Sequence, residues 1–382
     1  MLALSMLTTA AAALLINGAA FLLPSLVADR GLTLSTAGIV VAMPTVGVLL
    51  TLFLWGALVD RYGERGVLVA GSLLTAGAAA GAAATDTDTG LSICLLLGGM
   101  AAASANSATG RVVVGWFPAH RRGLAMGIRQ MSLPLGVALS SLTIPTLARD
   151  HGIGTAMLLP AGACLLAAVG CAVGIVDPPR PSRSDALDGG MYDNPYRGSD
   201  SLWRIHLASV LLVVPQYVVW TFALVWLMTD RNFTEESAGL LITATQILGA
   251  LGRIGAGALS DRVGSRMRPF RWIAIATSVT MGLLALTDEL DSWVSIALLV
   301  VASVVTVAPN GLAFTAVAEI AGPFWSGRAL GTQNTSQYVA ASLVPPLFGA
   351  AITAFAFPVA FAISAIFPAL AVPVIPRDRS ME

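Results

Sequence analysis

Long apolar stretches alternate with short polar clusters along the whole chain of 382 residues. A helix that crosses a bilayer needs about 20 consecutive, mostly apolar residues. Cutting the sequence at its polar clusters leaves twelve runs of about this length. The first run is too long for a cleaved signal peptide, and the next follows at once. We therefore predict twelve transmembrane helices, over roughly 4–28, 36–58, 66–84, 91–115, 123–148, 153–176, 204–229, 237–259, 270–287, 292–318, 327–353 and 357–375.

One long polar stretch, from Asp177 to Trp203, interrupts this pattern at the middle of the chain. It is rich in Pro, Ser, Asp and Gly and contains no apolar run, which is typical of a flexible linker. The sequence therefore predicts an N-terminal six-helix bundle over 1–176 and a cytoplasmic linker over 177–203. A C-terminal six-helix bundle with a short cytoplasmic tail is predicted over 204–382.

A ten-residue polar turn occurs twice, at 56–65 (GALVDRYGER) and 201 positions later at 257–266 (GALSDRVGSR). Seven of the ten positions are identical, and each copy lies between two apolar runs. A second match joins 122–130 (RGLAMGIRQ) to 327–333 (GRALGTQ) at an offset of 204. Two matches at nearly the same offset indicate that the two halves arose by duplication.

Composition and charge placement agree with a membrane protein. Hydrophobic residues form 56% of the chain, charged residues only 11%, and mean hydropathy is +0.80. Soluble domains carry roughly 25% charge. With a cytoplasmic N-terminus, the inner loops and tail hold fifteen arginines and the outer loops three. Because inner loops carry the excess of positive charge, we expect both termini in the cytoplasm. The absence of lysine and the abundance of alanine and glycine suggest a bacterial source, and hence an inner-membrane protein.

The duplicated turn resembles the signature of the major facilitator superfamily. The resemblance covers the whole chain and implies two six-helix domains around a central cavity, alternating access and a monomer. It also implies that the turn residues control the conformational equilibrium rather than contact substrate. Glu319, near the inner end of helix ten, fits as a partner of the second copy. The residues implied are Gly56, Asp60, Arg61, Gly63 and Arg65, and Gly257, Asp261, Arg262, Gly264 and Arg266.

Two stretches, 115–128 and 252–261, are similar to the oxalate/formate and monocarboxylate branches of that superfamily, and the position of Arg253 also resembles nitrate porters. Three features depart from these and other branches. The position equivalent to Arg253 in helix two is Leu52, helix eleven has no lysine, and helix five carries Pro134 in place of the drug-exporter pattern. The branch therefore stays open.

Charged side chains inside the predicted spans are few, and they are arginines: Arg129, Arg253 and, near a helix end, Arg111. An arginine in a span costs at least about 2.5–3.5 kcal/mol, so each is a functional candidate. Arg253 lies eight residues before Asp261, about 12 Å along a helix, which is long for snorkelling to the surface. Arg129 can snorkel more easily, and for Arg111 we favour a structural role. No acidic residue lies deep within the spans, which favours an anionic substrate.

Polar and aromatic side chains accompany these arginines on the predicted cavity-lining helices. Each is alternatively an interhelical hydrogen-bonding or packing residue. The substrate-site candidates besides Arg253 and Arg129 are Gln246, Asn17, Gln216, Tyr217, Trp220, Asn310, Gln337 and Tyr338.

The sequence points away from other classes of function. The three histidines are scattered, the three cysteines lie in apolar runs, and no metal site or cofactor is predicted. No basic, aromatic-interleaved surface for nucleic acid is present. The leading hypothesis is a non-enzymatic secondary transporter of a small organic anion, with protons as a possible coupling ion. The alternatives are a multidrug or metabolite exporter and a non-transporting membrane receptor.

Overall fold

The computed structural model describes residues 1–181 and 183–377, and almost all of this part of the chain is helical. Arg379, one of the fifteen arginines predicted on the inner side, lies outside the described residues. The helices are α1 (Leu2–Gly18), α2 (Leu23–Ala28), α3 (Leu34–Tyr62), α4 (Glu64–Ala84), α5 (Asp88–Trp116), α6 (Ala119–Arg129), α7 (Ser132–Gly174), α8 (Arg183–Asp188), α9 (Pro195–Gly198), α10 (Ser201–Thr229), α11 (Glu235–Val263), α12 (Met267–Glu289), α13 (Val294–Val305), α14 (Pro309–Ala321) and α15 (Ser326–Val374).

Twelve membrane crossings follow from these helices, as predicted. Ten helical segments of the described chain are long and apolar enough to cross a membrane. Two of the ten are long enough for two crossings each, with 56 and 49 residues, and each is divided into two helices by a backbone break, at Gly152 (φ +87°) in α7 and at Ala356 (φ +67°) in α15. A positive φ costs glycine little, whereas it strains alanine.

The two helices that carry the duplicated turn begin and end alike. The hydroxyl of Thr33 accepts a hydrogen bond from the Thr36 amide at the start of α3, and Thr234 does the same at the start of α11. These N-caps are 201 positions apart, the same offset as the turns. At the other ends, Gly63 (φ +88°) and Gly264 (φ +67°) end α3 and α11. Because this backbone region favours glycine, the second glycine of each turn is a helix stop.

Contacts divide the chain into two compact units, which we describe separately. Unit 1 comprises Met1–Trp116, Arg129–Asp193 and Ala321–Thr335. Its core holds Leu22, Leu26, Leu91, Leu95 and Met157, all fully buried. Unit 1 therefore includes the first turns of α15.

Unit 2 comprises Phe117–Ile128, Asn194–Ile320 and Ser336–Glu382. It therefore includes most of α6. Trp226 and Phe361 meet edge to face in its core, with ring centroids 5.9 Å apart.

The predicted linker over 177–203 contains the short helices α8 and α9 and the first residues of α10. Its first residues are bonded to the motif turn of unit 1. The side chain of Asp177 accepts from the amides of Glu64 (2.8 Å) and Arg65 (2.7 Å) at the start of α4. The domain boundaries at 176 and 204 stay a prediction.

Candidate functional site

Asp60, in the first copy of the turn, binds the start of α15 within unit 1. Its carboxylate accepts hydrogen bonds from the amides of Gly327 (2.8 Å) and Arg328 (3.0 Å). The Nε of Arg328 (3.0 Å) and the Nη1 of Arg111 (3.0 Å) also donate to it. The first amides of a helix lack intrahelical partners and carry its positive dipole end. A buried carboxylate placed there is therefore well stabilised.

Small residues permit this contact between α3 and α15. A Cβ on Gly56 would overlap the carbonyl of Gly327, and a Cβ on Gly331 would lie 2.8 Å from the carbonyl oxygen of Leu52. One helical turn thus separates two glycines of α15 that both touch the backbone of α3. A stripe of small residues is the usual means of close helix approach in membranes.

The second copy repeats the arrangement within unit 2. The carboxylate of Asp261 accepts from the amides of Gly123 (3.0 Å) and Leu124 (2.8 Å), near the start of α6. A Cβ on Gly123 would lie 2.5 Å from the carbonyl oxygen of Gly257, and a Cβ on Gly127 would lie 2.6 Å from that of Arg253. Asp60 with α15 and Asp261 with α6 are therefore equivalent contacts in the two halves of the duplication.

Arg266 links the second turn to Glu319, the partner expected from the sequence. Its guanidinium donates to Asp261 Oδ1 (2.6 Å) and lies 3.2 Å from Glu319. Arg122 also reaches Glu319, at 3.4 Å. Burial alone would lower the pKa of Arg266, but hydrogen bonds and charges from Glu319 and Asp261 raise it. Arg266 therefore stays cationic at working pH.

Sequence reasoning missed a buried ion cluster beside Asp60. Glu64, which the sequence assigns to a loop, is fully buried, with Arg111 Nε 2.6 Å and Arg180 Nη2 3.6 Å from its carboxylate. Arg180, from the linker, also donates to the carbonyls of Asp60 (2.8 Å) and Val59 (3.2 Å). Arg111 accordingly joins the turn to α5, which supports the structural interpretation of this residue.

The remaining turn residues play lesser parts in these contacts. Arg61 and Arg262 are exposed, and the guanidinium of Arg61 lies 5.2 Å from the ring of Tyr62. Arg65 donates to the carbonyl of Ala172. The first arginine of each copy is therefore directed to the surface, while Arg266 of the second copy is buried.

Arg253 lies inside unit 2, on α11 and within a membrane-spanning segment. It is 5% exposed, and its guanidinium carbon lies 6.0 Å from the ring centroid of Trp220. Trp220 in turn packs against Tyr217, with ring centroids 5.4 Å apart. Arg253 also interacts electrostatically with Tyr217. The sequence candidates Arg253, Tyr217 and Trp220 thus form one cluster.

Three amide side chains from three helices form a hydrogen-bonded chain in the same unit. The Nδ2 of Asn310 donates to the Oε1 of Gln216 at 2.9 Å. The Nε2 of Gln337 is 3.5 Å from the Oδ1 of Asn310. Gln216 directly precedes Tyr217 on α10, and Gln337 directly precedes Tyr338 on α15. We name Gln216, Asn310 and Gln337 the amide chain.

The other candidates are placed differently. Arg129 belongs to unit 1, where its Nε donates to Thr109 Oγ1 (2.8 Å) and its Nη2 to the carbonyl of Asn106 (3.5 Å). Asn17, also in unit 1, donates to the carbonyl of Ala13 on its own helix. Gln246 is half-buried on α11. The structure therefore groups the amide chain and the aromatic residues with Arg253 in unit 2, while Arg129 and Asn17 lie in the other unit.

An internally duplicated bundle of twelve apolar helices, with ion-paired turns at the helix ends and a buried arginine in a span, defines a polytopic membrane transporter. The chain belongs to the Major Facilitator Superfamily, because the sequence model of that family matches its residues 5–345. An uncharacterized MFS-type transporter of Mycobacterium tuberculosis is 51% identical over 368 residues, covering 96% of this chain and 82% of that protein.

Solved structures share the fold at low sequence identity. A proton:xylose symporter bound to 6-bromo-6-deoxy-D-glucose superposes with a TM-score of 0.80 at 17% identity, covering 98% of this chain and 95% of the other. The Escherichia coli fucose:proton symporter gives 0.75 at 15%, covering 98% and 97%. The human organic anion transporter TETRAN gives 0.75 at 16%, covering 98% and 99%. These likenesses show the fold alone.

Proposed function

We propose that the protein is a secondary active transporter that carries a small, carboxylate-like organic anion by alternating access. The observation that carries this proposal is Arg253, which is buried in a membrane-spanning helix beside Trp220. A guanidinium at this depth costs at least about 2.5–3.5 kcal/mol, so its retention calls for a function. Its planar fork of donors matches a carboxylate in two parallel hydrogen bonds.

The similarity to a Mycobacterium tuberculosis protein supports a bacterial cytoplasmic membrane, and the placement of arginine supports termini inside the cell. Both duplicated turns then lie on the cytoplasmic side. In the proposed cycle Asp60 and Asp261 hold the starts of α15 and α6 while the substrate site is closed to the cytoplasm. Release of these carboxylates opens that side. Glu319 and Arg266 stabilise the second contact through their ion pair.

In this proposal the substrate itself couples transport to a source of energy, by one of two routes. A carboxylic acid can carry a proton with it, and one anion can alternatively exchange for another. The exchange route uses the arginine as the group that recognises the negative charge of the anion. The proposal requires only a monomer, because one chain supplies every candidate residue of the substrate site.

The test is the thermal stability of the purified protein in detergent against small carboxylates. A ligand that binds the native state at a hundredfold excess over its Kd stabilises it by about 2.7 kcal/mol. We expect carboxylates to raise the melting temperature of the parent protein and to leave that of Arg253→Ala unchanged. Arg149→Ala is the matched control, since that arginine is exposed and pairs with its neighbour Asp150.

A normal carboxylate shift in Arg253→Ala would contradict the proposal. Tyr217 and Trp220, an aromatic pair next to Arg253, favour a second candidate, an exporter of amphipathic drugs or metabolites. That function predicts stabilisation by lipophilic compounds and no effect of the Arg253 substitution.

A further inference from the structure

The amide chain is more elaborate than a plain carboxylate requires. Gln216 and Gln337 are more than nine-tenths buried, at 3% and 9% exposure. They come from α10 and α15, and Asn310 from α14 joins them. Burying an amide without satisfying its hydrogen bonds is unfavourable. Two buried amides and the half-buried Asn310, placed together in an apolar bundle, need an account of their remaining donors and acceptors.

The hydrogen bonds within the amide chain fix the orientation of each amide group, that is, which way its oxygen and its nitrogen point. Gln216 accepts with its oxygen, so its Nε2 keeps two donor hydrogens. Gln337 donates with its nitrogen, so its oxygen remains an acceptor. Neither of these two atoms makes a hydrogen bond with another residue in the described ranges. The ends of the chain therefore offer a donor at Gln216 and an acceptor at Gln337.

A hydroxyl group matches such a pair, because it both donates and accepts. Arg253 lies in the same unit and connects to the amide chain through the aromatic cluster. Trp220 is one helical turn after Gln216 on α10, and the guanidinium of Arg253 lies 6.0 Å from its ring. The aromatic pair of Tyr217 and Trp220 thus directly follows Gln216 on α10, and Arg253 lies against its Trp220 ring.

We propose that the substrate is a hydroxylated carboxylate, whose carboxylate binds Arg253 and whose hydroxyl groups bind Gln216 and Gln337, the two ends of the amide chain. This rests on the proposed function and narrows its substrate class. A site that hydrogen-bonds a hydroxyl rejects the analogue lacking it, because the buried amides are then left unsatisfied. The expected preference is at least about tenfold in Kd for each hydroxyl engaged.

The test compares ligands that differ only in hydroxyl groups, using the full chain in detergent. Propionate, lactate and glycerate carry none, one and two hydroxyls, and glycerol lacks the carboxylate. We expect Kd from thermal shifts to fall at least about tenfold from propionate to lactate and again from lactate to glycerate, with no binding of glycerol. Gln337→Met, which keeps length and removes the hydrogen bonds, should weaken glycerate about tenfold and leave propionate unchanged.

Ser342→Ala is the matched control on the same helix, because that exposed hydroxyl bonds only a carbonyl of α15. It should leave all four ligands unchanged. Equal binding of propionate and glycerate, abolished by Arg253→Ala, would overturn this inference and leave the anion transporter standing. Binding of glycerol as tight as that of glycerate, or of no carboxylate at all, would overturn both. A Gln337→Met protein that keeps the full hydroxyl preference would also overturn it.

Discussion

The contact between Gly257 and the start of α6 gives the sharpest prediction. In Gly257→Ala the new methyl group would overlap the carbonyl of Gly123. The reciprocal contact sets the scale. A Cβ at Gly123 would lie 2.5 Å from the carbonyl oxygen of Gly257, about 0.9 Å inside the 3.4 Å of an ordinary contact. In Gly257→Ala the helices must separate by at least this much, which lengthens the hydrogen bonds that the Gly123 and Leu124 amides donate to Asp261.

Overpacking a well-packed contact costs about 1–3 kcal/mol. If the substitution destabilises the closed contact by about 2 kcal/mol, the population ratio of the open to the closed contact rises roughly 30-fold, since 1.4 kcal/mol is a factor of ten. Hydrogen–deuterium exchange over residues 119–130 measures this ratio, because protected amides exchange through local opening. We expect the Gly123 and Leu124 amides to exchange roughly 30-fold faster in Gly257→Ala.

Gly255→Ala is the matched control on the same helix. A Cβ at Gly255 meets nothing within 4 Å, and the substitution adds helix propensity of about 1 kcal/mol. Exchange over 119–130 should stay at the parent rate. Equal exchange in Gly257→Ala and the parent would refute the packing argument, as would an equal increase in both variants.

Three further predictions concern buried charges. Asp60→Asn should weaken the contact between Asp60 and α15, because hydrogen bonds to a charged group contribute about 1.5–3 kcal/mol. Hydrogen–deuterium exchange at the Gly327 and Arg328 amides should therefore become at least about tenfold faster. An unchanged exchange rate would contradict this prediction. Arg111→Leu should lower the free energy of unfolding by about 3 kcal/mol, because the buried Glu64 keeps only the more distant Arg180 as a partner, and a double variant with Glu64→Gln should recover part of that loss. Asp288→Asn should cost about 3 kcal/mol because Arg231, 8% exposed, loses its buried partner, and a parent-like melting temperature would refute this.

The spans and the duplication could be predicted from sequence because both are local signals. Apolar run length reports a crossing directly, and a repeated turn is visible without knowing what it contacts. Breaks inside spans were harder to find. The predicted helix 292–318 is divided into α13 and α14 just before Pro309, which begins α14. Apolar composition is the same on both sides of such a break, so hydropathy does not reveal it.

The candidate site was predictable in residue type but not in grouping. Arg253 and Asp60 stand out because charge inside or beside a span is costly. The burial of Glu64 was hidden, because it depends on Arg111 from another helix and Arg180 from the linker. The association of Gln216 with Asn310 and Gln337 likewise depends on tertiary packing. Pairwise contacts between distant segments leave no pattern in a single sequence.

The two aspartate contacts constrain the sequence of the turn more than the sequence of the helix that the turn binds. Asp60 and Asp261 each accept two hydrogen bonds from main-chain amides, of α15 and α6 respectively, and every residue except proline supplies such an amide. These main-chain bonds place no demand on the side chains of the receiving helix, provided that the crossing point stays as small as Gly123 or Gly327; among the described residues only Arg328 adds a side-chain hydrogen bond from α15, to Asp60. This explains why the turns read as a conspicuous ten-residue signature while the helix starts that they bind share only a fainter resemblance.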